Sequence, residues 1–139
     1  MRILIMGLPG AGKTHLAKRL QIHLNCAWYN ADKVREMAND WDFTDAGRRR
    51  QSERMNTLAT FEGTRGRTVI CDFVCPTGET RKHFTADLTI WMDTIEAGRF
   101  DNTNQIFEPP TGVNHHIKSF MSEEEILEFA NNLKEKHGI

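Results

Sequence analysis

The amino-acid sequence predicts a three-layer α/β fold with a mostly parallel sheet of about five strands. Three observations carry the prediction. Short apolar runs alternate with longer amphipathic stretches, as a parallel sheet covered by helices requires. The first run breaks at a glycine-rich turn that opens a helix, and two later runs each end at an aspartate, Asp72 and Asp93. At 139 residues the chain is one domain's worth, so a single domain over residues 1–139 is expected. Such a chain buries roughly two-thirds of its unfolded surface, enough for a core without staples.

Residues 2–6 read as a buried strand and residues 12–24 as the helix after the glycine turn. In that helix Leu16, Leu20 and Leu24 recur every four positions beside Ala17, which marks one buried stripe. Residues 26–30 form a second strand. Residues 32–39 and 45–63 read as helices, the latter with Thr44 as N-cap. Residues 68–71 and 88–92 are compact strands. Residues 98–112 hold Asn, Asp, Thr and the Pro109-Pro110 pair, so a loop or flap is expected there. Residues 112–120 supply a last strand. Ser122 to Glu125 is a capping box opening a final helix lined by Ile126, Phe129 and Leu133, which Gly138 ends.

Composition excludes several classes. With 39% hydrophobic and 27% charged residues and a net charge of −1, the chain shows no whole-chain signal for nucleic acid or membrane. Cys26, Cys71 and Cys75 are odd in number and form no CxxC pair, which disfavours a disulfide framework and points to a reducing cytoplasm. The opening apolar run of about five residues is shorter than a secretory core, and nothing approaches a membrane span of about 20. A cytoplasmic location is therefore expected.

The turn Gly7-Leu8-Pro9-Gly10-Ala11-Gly12-Lys13-Thr14 fits G-x-x-x-x-G-K-[ST] at every fixed position, after a strand and before a helix. Glycines let successive N–H groups curl inward onto phosphate oxygens, where side chains would obstruct the approach. The helix N-terminus adds partial positive charge. Lys13 is expected to bridge the β- and γ-phosphates of ATP, and the Thr14 hydroxyl to hold Mg²⁺. These features define a P-loop NTPase, and ATP and Mg²⁺ are the expected cofactors.

A P-loop alone does not separate a kinase from a motor or a GTPase. The discriminating segment is Asn30-Ala31-Asp32-Lys33-Val34-Arg35, just past the second strand, where ligands of open parallel sheets sit. A carboxylate at Asp32 suits a general base or the water shell of a metal, and Arg35 faces the same way and suits an acceptor anion. The alternative is an N-capping Asp32 and a solvated Arg35.

In these residues the chain resembles the adenylylsulfate kinase family, which phosphorylates the 3′-hydroxyl of adenosine 5′-phosphosulfate to make PAPS. Its D-G-D-N-[VI]-R motif is similar to residues 30–35, with Asp32, Val34 and Arg35 kept. Its D-L-G-F-S-x-x-x-R-x-x-N is similar to Asp40-Trp41-Asp42-Phe43-Thr44 followed by Arg48 and Gln51. Its F-[IV]-S-P is similar to Phe73-Val74-Cys75-Pro76, with Arg81 at the spacing of a further family arginine, and its Y-E-x-P to Phe107-Glu108-Pro109-Pro110. The resemblance implies a nucleoside-kinase-like P-loop fold and a nucleotide acceptor. It implies that Arg35, Arg48 and Gln51 hold the acceptor's phosphosulfate and sugar, that Phe43 and Phe73 sandwich its adenine, and that Val74 and Cys75 border it. It also implies a homodimer.

The chain departs from the family at three places. Asn30 replaces the first carboxylate of D-G-D, which leaves any proton-accepting role to Asp32. Asp72 stands where the family has a small polar residue, a placement that resembles the polynucleotide-kinase group and suits a magnesium ligand acting through water. The helix and basic lid that the family carries before its flap are cut to Thr94-Ile95-Glu96-Ala97-Gly98-Arg99 and a polar stretch. Arg99, or else Arg81, is then left to neutralise the transferring phosphoryl. Two other readings stay open: a P-loop kinase for a polynucleotide 5′-hydroxyl or small metabolite, or a nucleotide-binding protein without turnover.

Other features carry less. His115 and His116 are neighbours on a strand, so they point to opposite faces and do not make a metal pair. Arg49 and Arg50 read as a solvated helix flank, and Trp28, Trp41 and Trp91 as core or subunit contacts.

Overall fold

A computed structural model describes residues 1–139. Five strands, β1 (Arg2–Met6), β2 (Ala27–Asn30), β3 (Val69–Asp72), β4 (Leu88–Met92) and β5 (His115–Ile117), form one sheet in the order β2-β3-β1-β4-β5. Every adjacent pair is parallel. The helices are α1 (Lys13–Leu24), α2 (Ala31–Ala38), α3 (Asp45–Gly63), α4 (Gly78–Phe84), α5 (Asp101–Ile106) and α6 (Glu123–His137).

Strand alternation divides the core into two. On β1, Ile3 and Ile5 face one side and pack with Leu16 and Leu20 of α1 and Ile126 and Leu133 of α6. Leu4 and Met6 face the other side and pack with Val34 of α2, Met55 and Ala59 of α3 and Phe84 of α4. Helices therefore cover both faces, which is why the strands read as continuous apolar runs. No helix is long and apolar enough to cross a membrane.

Several expectations shift. The segment 98–112 is not wholly irregular, because it contains the one-and-a-half-turn helix α5. Helix α4 has no counterpart in the sequence reading; a reciprocal box between Thr77 and Thr80 caps it. The cap of α2 is Asn30 and not Asp32, since the Asn30 side chain accepts the Lys33 N–H at 3.0 Å. Strand β3 runs through Asp72.

Candidate active site

Parallel pairing brings the carboxyl ends of β1, β2 and β3 to one edge, with Asn30 directly beside Asp72 and Asp72 beside Ile5. The turn after β1 leaves this edge through three glycines in the left-handed region, Gly7 (φ 149°), Gly10 (φ 91°) and Gly12 (φ 92°). A Cβ on Gly7 would lie 2.4 Å from the Met92 carbonyl oxygen, so close approach as well as conformation demands glycine there. Gly12 caps α1 with no side-chain hydrogen bond, which leaves the first N–H groups of that helix for an anion. Leu8 and Ala11 turn inward and are buried.

Lys13 donates to the Leu8 carbonyl at 3.0 Å and is 9% exposed. Burial lowers its pKa from 10.5 to about 8, against the opposing pull of Asp72 and Asp32. Its ammonium is thus a desolvated charge parked on the loop. Beside it, Asn30 Nδ2 donates to Thr14 Oγ1 and Asp72 Oδ1, both at 3.1 Å, and Thr14 Oγ1 lies 3.4 Å from Asp72 Oδ1. Trp28 Nε1 donates to Asp72 Oδ2 at 2.5 Å. Burial pushes the Asp72 carboxyl up, while the Trp28 and Asn30 donors hold it down. Asp32 is exposed on the first turn of α2 and faces the same cavity.

That cavity, about 780 Å³, runs from the glycine turn to the N-terminal half of α3, at Arg48, Gln51 and Ser52. There Arg35 is buried, donates through Nη1 to the carbonyls of Asp40 (2.9 Å) and Asp42 (3.2 Å), and lies 4.4 Å over the Phe43 ring. Arg48 donates to the Phe43 carbonyl at 2.9 Å and to Thr103 Oγ1 at 3.3 Å. Burial lowers the pKa of both guanidiniums. Each also has further N–H groups free of these bonds, so the end of the cavity is built for an anion. Gln51, one turn from Arg48, is occupied at both ends: it donates to the Ala31 carbonyl at 3.0 Å and accepts from Arg54 at 2.6 Å.

The two phenylalanines differ. Phe43 is 47% exposed and offers a ring face, whereas Phe73 is 6% exposed and packs edge-on against Phe84 with centroids 5.4 Å apart. Both line the cavity, as do Val74 and Cys75. Burial drives the Cys75 thiol up to about 12, which removes it as a nucleophile.

The shortened lid crosses the mouth. Asn104 closes it on itself through Gly98, and a Cβ on Gly98 would lie 3.0 Å from the Pro9 carbonyl oxygen, so the segment rests on the glycine turn. It carries Arg99, exposed and lining the cavity, with Phe100 and Thr103. Arg81 points elsewhere, donating to the carbonyls of Cys75, Pro76 and Glu108. Of the two candidate cations, Arg99 alone lines the cavity.

Trp28 packs against the core as expected, but sequence reasoning missed its bond to Asp72, and it missed Trp41. Trp41 is half-exposed in the cavity wall and is not a core contact. Its signal was its place between Asp40 and Phe43 in a motif already singled out. Arg50 is not merely solvated either, since it bonds Asp40 together with Arg54. Arg49 pairs with Glu79 on the surface.

The adenylylsulphate kinase family model matches residues 1–96. No curated protein matches. Among solved structures, one designated APE1195 superposes with TM-score 0.82 at 23% identity, covering 97% of this chain and 95% of that one. The Mycobacterium tuberculosis APS kinase CysC, in complex with AMPPNP and APS, gives 0.74 at 17% identity over 96% and 95%. Shikimate kinase from Aquifex aeolicus gives 0.69 at 17% identity over 99% and 98%. At these identities the structures establish the P-loop kinase fold, and the family match establishes the rest: the chain belongs to the adenylylsulphate kinase family, as an ATP-dependent kinase acting on an alcohol group.

Proposed function

We propose that the chain transfers the γ-phosphate of ATP to the 3′-hydroxyl of adenosine 5′-phosphosulfate, giving PAPS. One observation carries the reading: a single cavity joins the phosphate loop to two buried, anion-poor arginines that flank an exposed aromatic face. A purine nucleotide with a charged tail matches both features, with its base on Phe43 and its tail on Arg35 and Arg48. Phe73 and Gln51 shape the wall, and Val74 and Cys75 form its floor.

ATP lies with its phosphates on residues 7–14. Lys13 leaves the Leu8 carbonyl for the β- and γ-oxygens and regains a counter-charge. The hydroxyl of Thr14 and the carboxylates of Asp32 and Asp72 are hard oxygen donors, a set that fits Mg²⁺. When bound, the ion neutralises charge on the transferring phosphoryl. Asp32, exposed at the cavity, accepts the proton of the attacking hydroxyl as the O–P bond forms and ADP leaves. Arg99 meets the phosphoryl from the lid.

The test incubates the chain with labelled ATP and Mg²⁺ against adenosine 5′-phosphosulfate, a 5′-hydroxyl oligonucleotide and shikimate. Label on adenosine phosphosulfate, abolished by Lys13→Ala, is expected. Transfer to another acceptor alone would assign a different substrate, and ATP binding without transfer to any would leave a nucleotide-binding protein.

A further inference from the structure

Asp72 is 2% exposed, and both its oxygens are engaged. Oδ1 faces Thr14 Oγ1 and accepts from Asn30, whereas Oδ2 accepts from Trp28 Nε1 at 2.5 Å and from Asn30 at 3.3 Å. The indole N–H is a donor only, so it can bond the carboxylate in one sense and cannot reverse. Trp28 itself is held, because its ring packs against the apolar cluster under α1 and α6 and its backbone is paired in register with Ile70. A rigid donor on one oxygen fixes the rotation of the carboxylate and hence the direction of the other oxygen. That other oxygen points at the threonine hydroxyl that follows the phosphate-loop lysine.

We propose that Trp28 is a positioning residue that locks Asp72 with its Oδ1, the oxygen facing Thr14, toward the cation of the ATP complex. Removing the indole N–H lets the carboxylate turn, and outer partners of this kind typically change metal affinity by about 10–100-fold. The inference rests on the reading of residues 7–14 as an Mg-ATP site. It adds that the tightness of the cation, rather than of the nucleotide, depends on a tryptophan of β2. Asn30 cannot replace it, since its amide is shared among Thr14 and both Asp72 oxygens.

The experiment measures ATP binding by calorimetry in EDTA and at rising Mg²⁺, for wild type, Trp28→Phe, Asp72→Asn and the double variant. Trp28→Phe is expected to bind ATP in EDTA within about twofold of wild type. Its gain in affinity on adding Mg²⁺ is expected to be about tenfold smaller. In the double variant that loss is not additive, because the indole acts only through the carboxylate. A Trp28→Phe chain that keeps the wild-type Mg²⁺ effect, or a loss that adds fully to that of Asp72→Asn, overturns the proposal. A wild-type chain whose ATP affinity is indifferent to Mg²⁺ overturns the Mg-ATP reading with it. Should Trp28→Phe fail to fold, the indole N–H resonance of Trp28 in the ATP complex decides. It is expected to move when Mg²⁺ is added to wild type and to stay fixed in Asp72→Asn; a resonance indifferent to Mg²⁺ in wild type overturns the proposal.

Discussion

At the scale of single residues, the phosphate loop makes the sharpest demands. Gly7 meets two constraints at once, a φ of 149° and a carbonyl oxygen 2.4 Å from where a Cβ would sit. Gly7→Ala is expected to cost about 2 kcal/mol or more, a fall of about 5 °C or more in Tm, with ATP affinity lost alongside because the amides no longer converge. An unchanged melting curve would contradict the observed close approach. Lys13 runs the opposite way. Its pKa falls from 10.5 to about 8, so holding it protonated in the folded chain costs about 3 kcal/mol. Lys13→Met is therefore expected to leave the nucleotide-free chain melting no lower than wild type while abolishing phosphoryl transfer. A large drop in the Tm of that variant would show that the Leu8 contact outweighs the burial. Both residues were legible in the sequence, because the motif states them. Trp28 was not: its ring is apolar enough to pass for core, and only the sheet register brings its N–H to Asp72.

At the scale of elements, what the sequence displayed depended on whether the element makes its own case. Helix α6 announces itself by a Ser-Glu box and a spaced apolar face, and α1 by its leucines; both fold where expected. Helix α4 is seven residues long, and its box uses Thr80 in place of the usual Glu or Gln. Helix α5 is six residues, Asp-Asn-Thr-Asn-Gln-Ile, four of them poor helix formers, and it is braced by side-chain bonds of Thr103 with Arg48 and of Asn104 with Gly98. The turn between α2 and α3 is likewise set from outside, by charge. Asp40 accepts Arg50 Nε at 2.7 Å and Nη2 at 2.9 Å, and Arg54 Nη2 at 2.8 Å. These bonds hold its carboxyl well below the usual carboxylate range, Arg50 contributing most. A folded pKa below the unfolded one gives stability that is present above the unfolded value near 3.8 and is lost as pH falls through the folded one. Asp40→Asn is expected to lower Tm at pH 7 and to flatten its decline on acidification below about pH 5. Parallel curves for the two proteins would mean the arginines do not act through Asp40.

At the scale of the whole molecule, the strand order places β1 at the centre, so the glycine turn, Asn30 and Asp72 share one edge and the long cavity starts there. The sequence foretold the parallel sheet, yet not that the end of the cavity near Arg35 and Arg48 would be walled by Trp41. A tryptophan in a connecting turn has no periodicity to reveal its direction. The three tryptophans now divide the molecule into regions that fluorescence can separate. Trp28 sits at the phosphate end against Asp72. Trp91 lies outside the cavity, stacked on His116 with centroids 4.2 Å apart and rings 10° from parallel. Trp41, 51% exposed, is the one that lines the cavity with Phe43, Arg35 and Arg48. A purine acceptor that seats its base among these rings changes the surroundings of Trp41 and leaves Trp91 untouched. Titrating adenosine 5′-phosphosulfate without ATP is expected to quench the emission, and Trp41→Phe to remove most of that change while the chain still folds. Shikimate, which has no aromatic base to stack, is expected to leave the emission nearly constant. Quenching that survives in Trp41→Phe would place the acceptor away from Arg35 and Arg48, at the phosphate end near Trp28.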